Sequence, residues 1–212
     1  MQMPRKLVIL LAIFVALVIG MNVLGSKIMA ILGISVSVGI FMSPLTFLIT
    51  DIVEDVYGPK MSREFVMAGA VALGLTFIYT AVFVALPPHE RYPYNDQYRL
   101  IFGSSLRIMV ASFVAFLLAQ FHDVWAFALI KKLTGGKALW LRNNVSTIIS
   151  QAIDTLVFMY LAFYQAAQKF TALFVLGLAL PYYGFKVAFA LLDTPLVYLG
   201  VRWLKSKEEK VV

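Results

Sequence analysis

The chain has 212 residues, 61% of them hydrophobic, and its mean hydropathy of +0.87 lies far outside the range of soluble domains. Apolar runs recur along its whole length with short polar breaks, so residues 1–212 read as a single transmembrane domain with the lipid bilayer as its main partner. The net charge of +7 sits in loops between apolar runs, where topology accounts for it without nucleic acid, and zero cysteines exclude disulfides, thiolate metal sites and cysteine nucleophiles.

Six segments are expected in chain order, at about 6–30, 33–57, 62–86, 105–132, 139–164 and 170–205. The first, LVILLAIFVALVIG behind Arg5 and Lys6, resembles a signal peptide but lacks a small-residue cleavage site, and is read as a retained helix. In the second, ISVSVGIF alternates with period two before Ser43 and Pro44 offer an N-cap and a first-turn proline. A helix from Pro44 to Tyr57 measures about 21 Å at 1.5 Å per residue, too short to span. Two readings fit: a non-helical approach leading into a half-helix, which membrane depth tolerates only inside protein or beside water, or an ordinary tilted helix with a kink. The small residues of AGAVALG in the third segment suit packing within the bundle or against a second copy, so a homodimer stays open. PPHERYPYNDQYRLIF forms a longer outer loop with aromatics suited to the membrane interface.

Arg5, Lys6, Lys60, Arg63, Lys131, Lys132, Lys137, Arg202, Lys205, Lys207 and Lys210 fall on one side of this arrangement, which predicts that both termini are cytoplasmic. Arg91, Arg99, Arg107 and Lys169 fall on the other.

Ionisable groups inside spans are costly and mark functional positions. In FLITDIVEDVYG, Asp51, Glu54, Asp55 and Gly58 lie within roughly 100° of arc and form an acidic stripe. Asp51 is deepest; Glu54 reads as the solvated member near the cytoplasmic end. The fourth segment places Gln120 and Asp123 one turn apart with Ser112 near the same broad face, whereas the neighbouring His122 points elsewhere. In the fifth, Asn143, Thr147, Ser150 and Asp154 occupy a stripe about 60° wide, flanked by Ser146 and Gln151. The sixth carries Lys186 and Asp193 on one face, ahead of a bend at Pro195; Asp51, Asp123 and Asp154 are the natural partners of Lys186. Asn22, Ser26 and Lys27 add polar groups at the end of the first segment.

No catalytic pattern accompanies these groups. There is no nucleophile elbow or paired-histidine zinc motif, and LTGGKALW lacks the upstream glycine and the hydroxyl residue of a phosphate loop. The reading is a non-enzyme without cofactor or metal. Its cavity of carboxylates, amides and hydroxyls, with Phe47, Phe113, Phe116, Trp125, Tyr182 and Phe185 as walls, suits a flat polar heterocycle. A guanine-like edge offers two adjacent N–H donors to one carboxylate.

The ordered set NVLGSK, TDIVEDVYG, RIMVASFVAFLLAQFHD, LRNNVSTIISQAID and FKVAFALLDTPLVY resembles the queuosine precursor transporter family, also called the vitamin-uptake transporter family. The resemblance covers nearly the whole chain. It implies an all-α, six-helix bundle in the inner membrane, related to the substrate-binding components of energy-coupling-factor transporters. It further implies import of 7-deazaguanine precursors: 7-cyano-7-deazaguanine, 7-aminomethyl-7-deazaguanine and the free base queuine. By position it marks Asn22, Lys27, Asp51, Arg107, Ser112, Gln120, Asp123, Ser146, Asp154, Lys186 and Asp193 for substrate, with Gly58 and Pro195 as gating positions; Ser150 joins them from the polar stripe. Asp55 stands where the family pattern often has Glu. The alternative is a vitamin-type binding subunit that depends on an ATP-driven partner complex.

Overall fold

The computed structural model describes residues 3–25, 27–31, 34–103, 106–165, 168 and 170–206. Ser26, Lys169, Lys207 and Lys210 lie outside them.

Helix α1 (Arg5–Val23) buries Leu7, Leu10, Phe14 and Val18, a three-and-four spacing that turns one stripe inward and leaves the rest to lipid. A small antiparallel hairpin follows, β1 (Ile28–Ile31) and β2 (Ile34–Ser37), with Ile28 opposite Ser37 and Ile31 opposite Ile34. The period-two alternation of the sequence thus marks a strand, and the expected all-α architecture gains a hairpin. Ser37 secures its exit: the hydroxyl donates to the Gly25 carbonyl at 2.6 Å and accepts from the Gly39 amide at 3.1 Å. A 3-10 turn, Val38–Phe41, leads into α2 (Ser43–Tyr57).

Helix α2 is the half-helix. Its 15 residues rise about 22 Å, and the helix starts at Ser43 itself, so Ser43 is not the cap; Met42 occupies that position without a side-chain bond. Every residue from Thr46 to Glu54 is buried, because α1, α3, α5, α7 and α8 all pack around it. A short helix at membrane depth is stable only inside such a protein sheath. Gly58 ends it at φ +83°, and Pro59 starts α3 (Pro59–Ala85) immediately. Ser62 donates to the Thr50 carbonyl at 3.1 Å across this sharp reversal. Farther along α3, a Cβ on Gly69 would lie 2.8 Å from the Phe14 ring, so only glycine permits α1 and α3 to approach this closely.

The loop after α3 contains an exposed helix, α4 (Asn95–Gly103), against α3. Then come α5 (Leu106–Leu133), α6 (Leu139–Phe163) and α7 (Ala172–Leu192). The chain breaks at Asp193 and resumes as α8 (Thr194–Lys205), with Pro195 in its first turn. Helices α5 and α6 share the most extensive packing, and α6 also packs on α7. Phe14, Phe65 and Phe116 meet at the centre of the apolar core with ring centroids about 6 Å apart, 5.9 and 6.3 Å from Phe14.

Among the described residues, five helices are long and apolar enough to cross a membrane: α1, α3, α5 within the run Asn95–Leu133, α6 and α7. Of the two readings of the second segment, the structure shows the discontinuous one, as hairpin, turn and half-helix. Lys6 donates to the Trp203 and Ser206 carbonyls at 2.9 and 2.8 Å, which brings the beginning of α1 and the end of α8 to the same face of the bundle.

Candidate functional site

The polar residues of separate helices converge around α2. Asp51 and Glu54 come from α2, Asp123 from α5, Asn143, Ser146, Thr147, Ser150, Gln151 and Thr155 from α6, and Asp193 from the α7–α8 break; all are buried. The α6 contribution follows from helical spacing, since residues 143, 147, 150 and 154 recur within one stripe. Thr147 donates to Asp51 Oδ2 at 3.2 Å. Asp123 faces Asp51 and the hydroxyls of Ser146, Thr147 and Ser150, while Asp193 lies beside the Asn143 amide.

Hydrogen bonding in this cluster is incomplete. Asp51 Oδ1, both oxygens of Glu54 and of Asp123, Asn143 Oδ1, both amide atoms of Gln151 and Thr155 Oγ1 are buried without a hydrogen-bond partner. Such orphans are rare in folded proteins, and each costs about 1–3 kcal/mol, more when charged. Their concentration along the facing sides of α2, α5 and α6 marks a place built to meet groups the chain does not supply. Among the described residues, no group of three or more His, Cys, Asp or Glu is arranged to hold a metal ion.

Two ion-pair systems flank the cluster. On one side Lys186 is paired with Asp154 and sits 5.3 Å from the centre of the Tyr182 ring. At the end of α2, Asp55 binds Arg142 of α6, Lys131 of α5 at 3.3 Å and Lys205 of α8 at 3.2 Å. Arg142 also donates to the Gly136 carbonyl at 2.9 Å and lies over the Phe127 ring at 5.2 Å. One carboxylate therefore ties together the ends of four helices.

Residues 37–200 match the family described as Putative vitamin uptake transporter. The chain belongs to this family. The matched region runs from the end of the hairpin to α8 and contains the whole cluster. The probable queuosine precursor transporter of Bacillus subtilis is 29% identical over 184 residues, 86% of this chain and 79% of that protein. The queuosine precursor transporter of Escherichia coli is 30% identical over 159 residues, 74% of this chain and 69% of that protein. The probable queuosine precursor transporter of Haemophilus influenzae is 28% identical over 134 residues, 63% of this chain and 54% of that protein. No solved structure matches the chain at a significant level. This vitamin-uptake-family protein is a multi-pass membrane transporter and not an enzyme.

Within this family member, several expected site residues stand apart from the cluster. Gln120 is buried, but its amide donates to Thr46 Oγ1 at 3.1 Å and its carbonyl accepts from Thr50 at 3.3 Å, so it fastens α5 to α2. Arg107 donates to the Leu161 and Tyr164 carbonyls at 2.7 and 2.6 Å, closing the orphan end of α6. Asn22 bonds back to the Val18 carbonyl of its own helix at 2.9 Å, and Lys27 is exposed at the hairpin. Ser112 is half-buried on α5, about 12 Å of helix rise from Gln120.

Four side chains depart from what the sequence suggests. Glu54, read as solvated, is 1% exposed, because α8 and α5 cover the side of α2 that the stripe alone leaves open. Asp55 is the acid that meets the cationic helix ends. His122, expected to point away, meets Ser150 Oγ through Nδ1 at 2.9 Å and so touches the polar stripe. Trp125, expected as a cavity wall, is 56% exposed on the outer surface of α5. Sequence reasoning passed over Arg142, Thr46, Thr50 and Thr155. Arg142 had a signal: it lies four residues before Ser146 and eight before Ser150, on the same side of α6.

Proposed function

We propose that this transporter imports 7-deazaguanine precursors of queuosine across the inner membrane for tRNA modification, taking 7-cyano-7-deazaguanine, 7-aminomethyl-7-deazaguanine and queuine. The observation that carries the reading is the set of orphaned buried acceptors on Asp51, Glu54, Asp123 and Asn143. A guanine-like base presents a ring N–H and an exocyclic amino group side by side, and one carboxylate accepts both. The ligand would relieve acceptors that the folded chain leaves unpaired, which makes its binding specific for a donor-rich edge. Gln151, with both amide atoms free, replaces the committed Gln120 as donor to the ring carbonyl. The names of the relatives from three bacteria point to the same substrate class.

In this reading Asp154 and Lys186 hold α6 and α7 in register beside the substrate, and the Asp193 break with Pro195 lets α8 move against α7. Gly58 serves as the corresponding pivot between α2 and α3. The face shared by Lys6 and Ser206 is assigned to the cytoplasm by the excess of Lys and Arg there. The hairpin and half-helix stand in for one span of a six-segment bundle of the kind found in energy-coupling-factor substrate-binding components.

Uptake of the three labelled bases into cells that lack de novo synthesis tests the proposal, and failure of all three refutes the substrate class. Purified protein in liposomes should move its base unaided. A requirement for an ATP-driven partner complex would establish the binding-subunit alternative instead.

A further inference from the structure

The buried positive charge of the bundle is already committed. Arg142, 2% exposed, is engaged by Asp55, and Lys186, 3% exposed, by Asp154. Asp51, Glu54, Asp123 and Asp193 are also buried, and none of them forms a salt bridge among the described residues. Glu54 feels the cations at the end of α2, but Asp51, Asp123 and Asp193 face other acids and polar groups, and carboxylates in a low-dielectric interior are costly unless positive charge reaches them.

Asp51 and Asp123, both buried, face each other across the α2–α5 contact, and Asp51 Oδ1 and both Asp123 oxygens have no hydrogen-bond partner. Two such carboxyls cannot both remain ionised; a shared proton converts their repulsion into an O–H···O⁻ bond. Every packed element has a defined contribution to their surroundings. Helix α2 adds Glu54, the α7–α8 break adds Asp193, and α6 adds the hydroxyls of Ser146, Thr147 and Ser150. His122 of α5 is turned to Ser150, and Lys186 of α7 is held by Asp154. Arg63 of α3, Lys131 of α5 and Arg142 of α6 act on Glu54 at the end of α2, and α1 presents only apolar residues from Leu7 to Val18 to the core.

A second, uncharged feature points the same way. Asn143 is 2% exposed, stands beside Asp193, and keeps its Oδ1 without a partner; even with the free Gln151 amide, unpaired acceptors outnumber unpaired donors, so the site is short of donors as well as of positive charge. A proton supplies both.

We propose that the Asp51–Asp123 carboxyl pair is a proton-binding site and that its proton travels inward with the base, coupling transport to the proton gradient. The proton adds to a carboxylate oxygen from the outer side and leaves the same pair toward the inner side. No other bond forms or breaks, and one proton enters per base. The coupling rests on the transport reading above, whereas the proton site itself does not.

Two measurements separate these layers. In proteoliposomes, each unit of inside-alkaline pH difference should raise the steady-state accumulation of labelled 7-cyano-7-deazaguanine about tenfold, equivalent to 1.36 kcal/mol. A protonophore should abolish that rise, and so should Asp51→Asn or Asp123→Asn. Transport indifferent to the pH gradient, or driven by a sodium gradient in its place, overturns the coupling. Infrared spectroscopy of the purified full chain reads the proton without any substrate. A protonated-carboxyl band at neutral pH that Asp123→Asn removes supports the site even if none of the bases is transported. Absence of that band from the unsubstituted protein overturns it, whether or not either variant folds.

Discussion

Removing Lys186 or Asp154 singly should destabilise the bundle far more than removing both. The lysine side chain is 3% exposed and that of its partner 18%, so each substitution strands the other charge in a medium that solvates it poorly. Breaking such a pair from one side costs about 3–5 kcal/mol, while replacing both members with apolar residues of similar volume is close to neutral or stabilising. Lys186→Met retains the unbranched stem against Tyr182, and Asp154→Leu fills the facing volume. The unequal burial ranks the two. Asp154→Leu leaves the more buried ammonium alone and should be the worse, whereas Lys186→Met leaves a carboxylate with partial access to solvent. Thermal unfolding of the wild type, both single variants and the double variant in detergent gives the coupling free energy, expected to reach about 3 kcal/mol. Additive losses, or single losses below about 1 kcal/mol, would mean that water screens the pair, and would refute its role as a register lock between α6 and α7.

Glu54→Gln should lower base uptake about tenfold or more without lowering thermal stability, because the carboxylate has no protein partner to lose; unchanged uptake would return Glu54 to a solvated helix end. Gly58→Ala meets no atom within 4 Å, so its cost is purely that of φ +83°, about 1–3 kcal/mol in thermal unfolding, and a neutral result would remove the strain argument. At the α2 terminus, Arg142→Ala should destabilise strongly while Lys205→Ala, whose side chain is 56% exposed, should change stability by less than about 1 kcal/mol; equal effects would contradict the burial ranking.

Much of the site was legible in local patterns. Ser43 and Pro44 located the start of the half-helix within a residue, and the spacing of Asn143, Thr147, Ser150 and Asp154 placed them on one stripe of α6. Asp154 was one of three candidate partners for Lys186, and the choice among them required the α6–α7 packing. Local pattern failed where a side chain is defined by its neighbours. Arg107, marked for substrate by the family resemblance, closes a helix end; Gln120 looked like a free donor and is held by Thr46 and Thr50.

Hydropathy, helical period and motif order are properties of one chain segment at a time. They determined that this protein lies in the bilayer, where its helices run, which residues share a face, and which family it resembles. Glu54 and Asp55 mark the limit of that information. They are adjacent, chemically alike and separated by about 100° around the same helix. Helix geometry fixes that angle, but only the packing of α5, α6 and α8 around α2 sets where each carboxylate points. That packing turns Asp55 toward Arg142, Lys131 and Lys205 and leaves Glu54 buried beside Asp51 and Asp123. The rotation of a helix about its own axis is chosen by its neighbours, and it decides which of two adjacent acids closes the bundle and which faces the site.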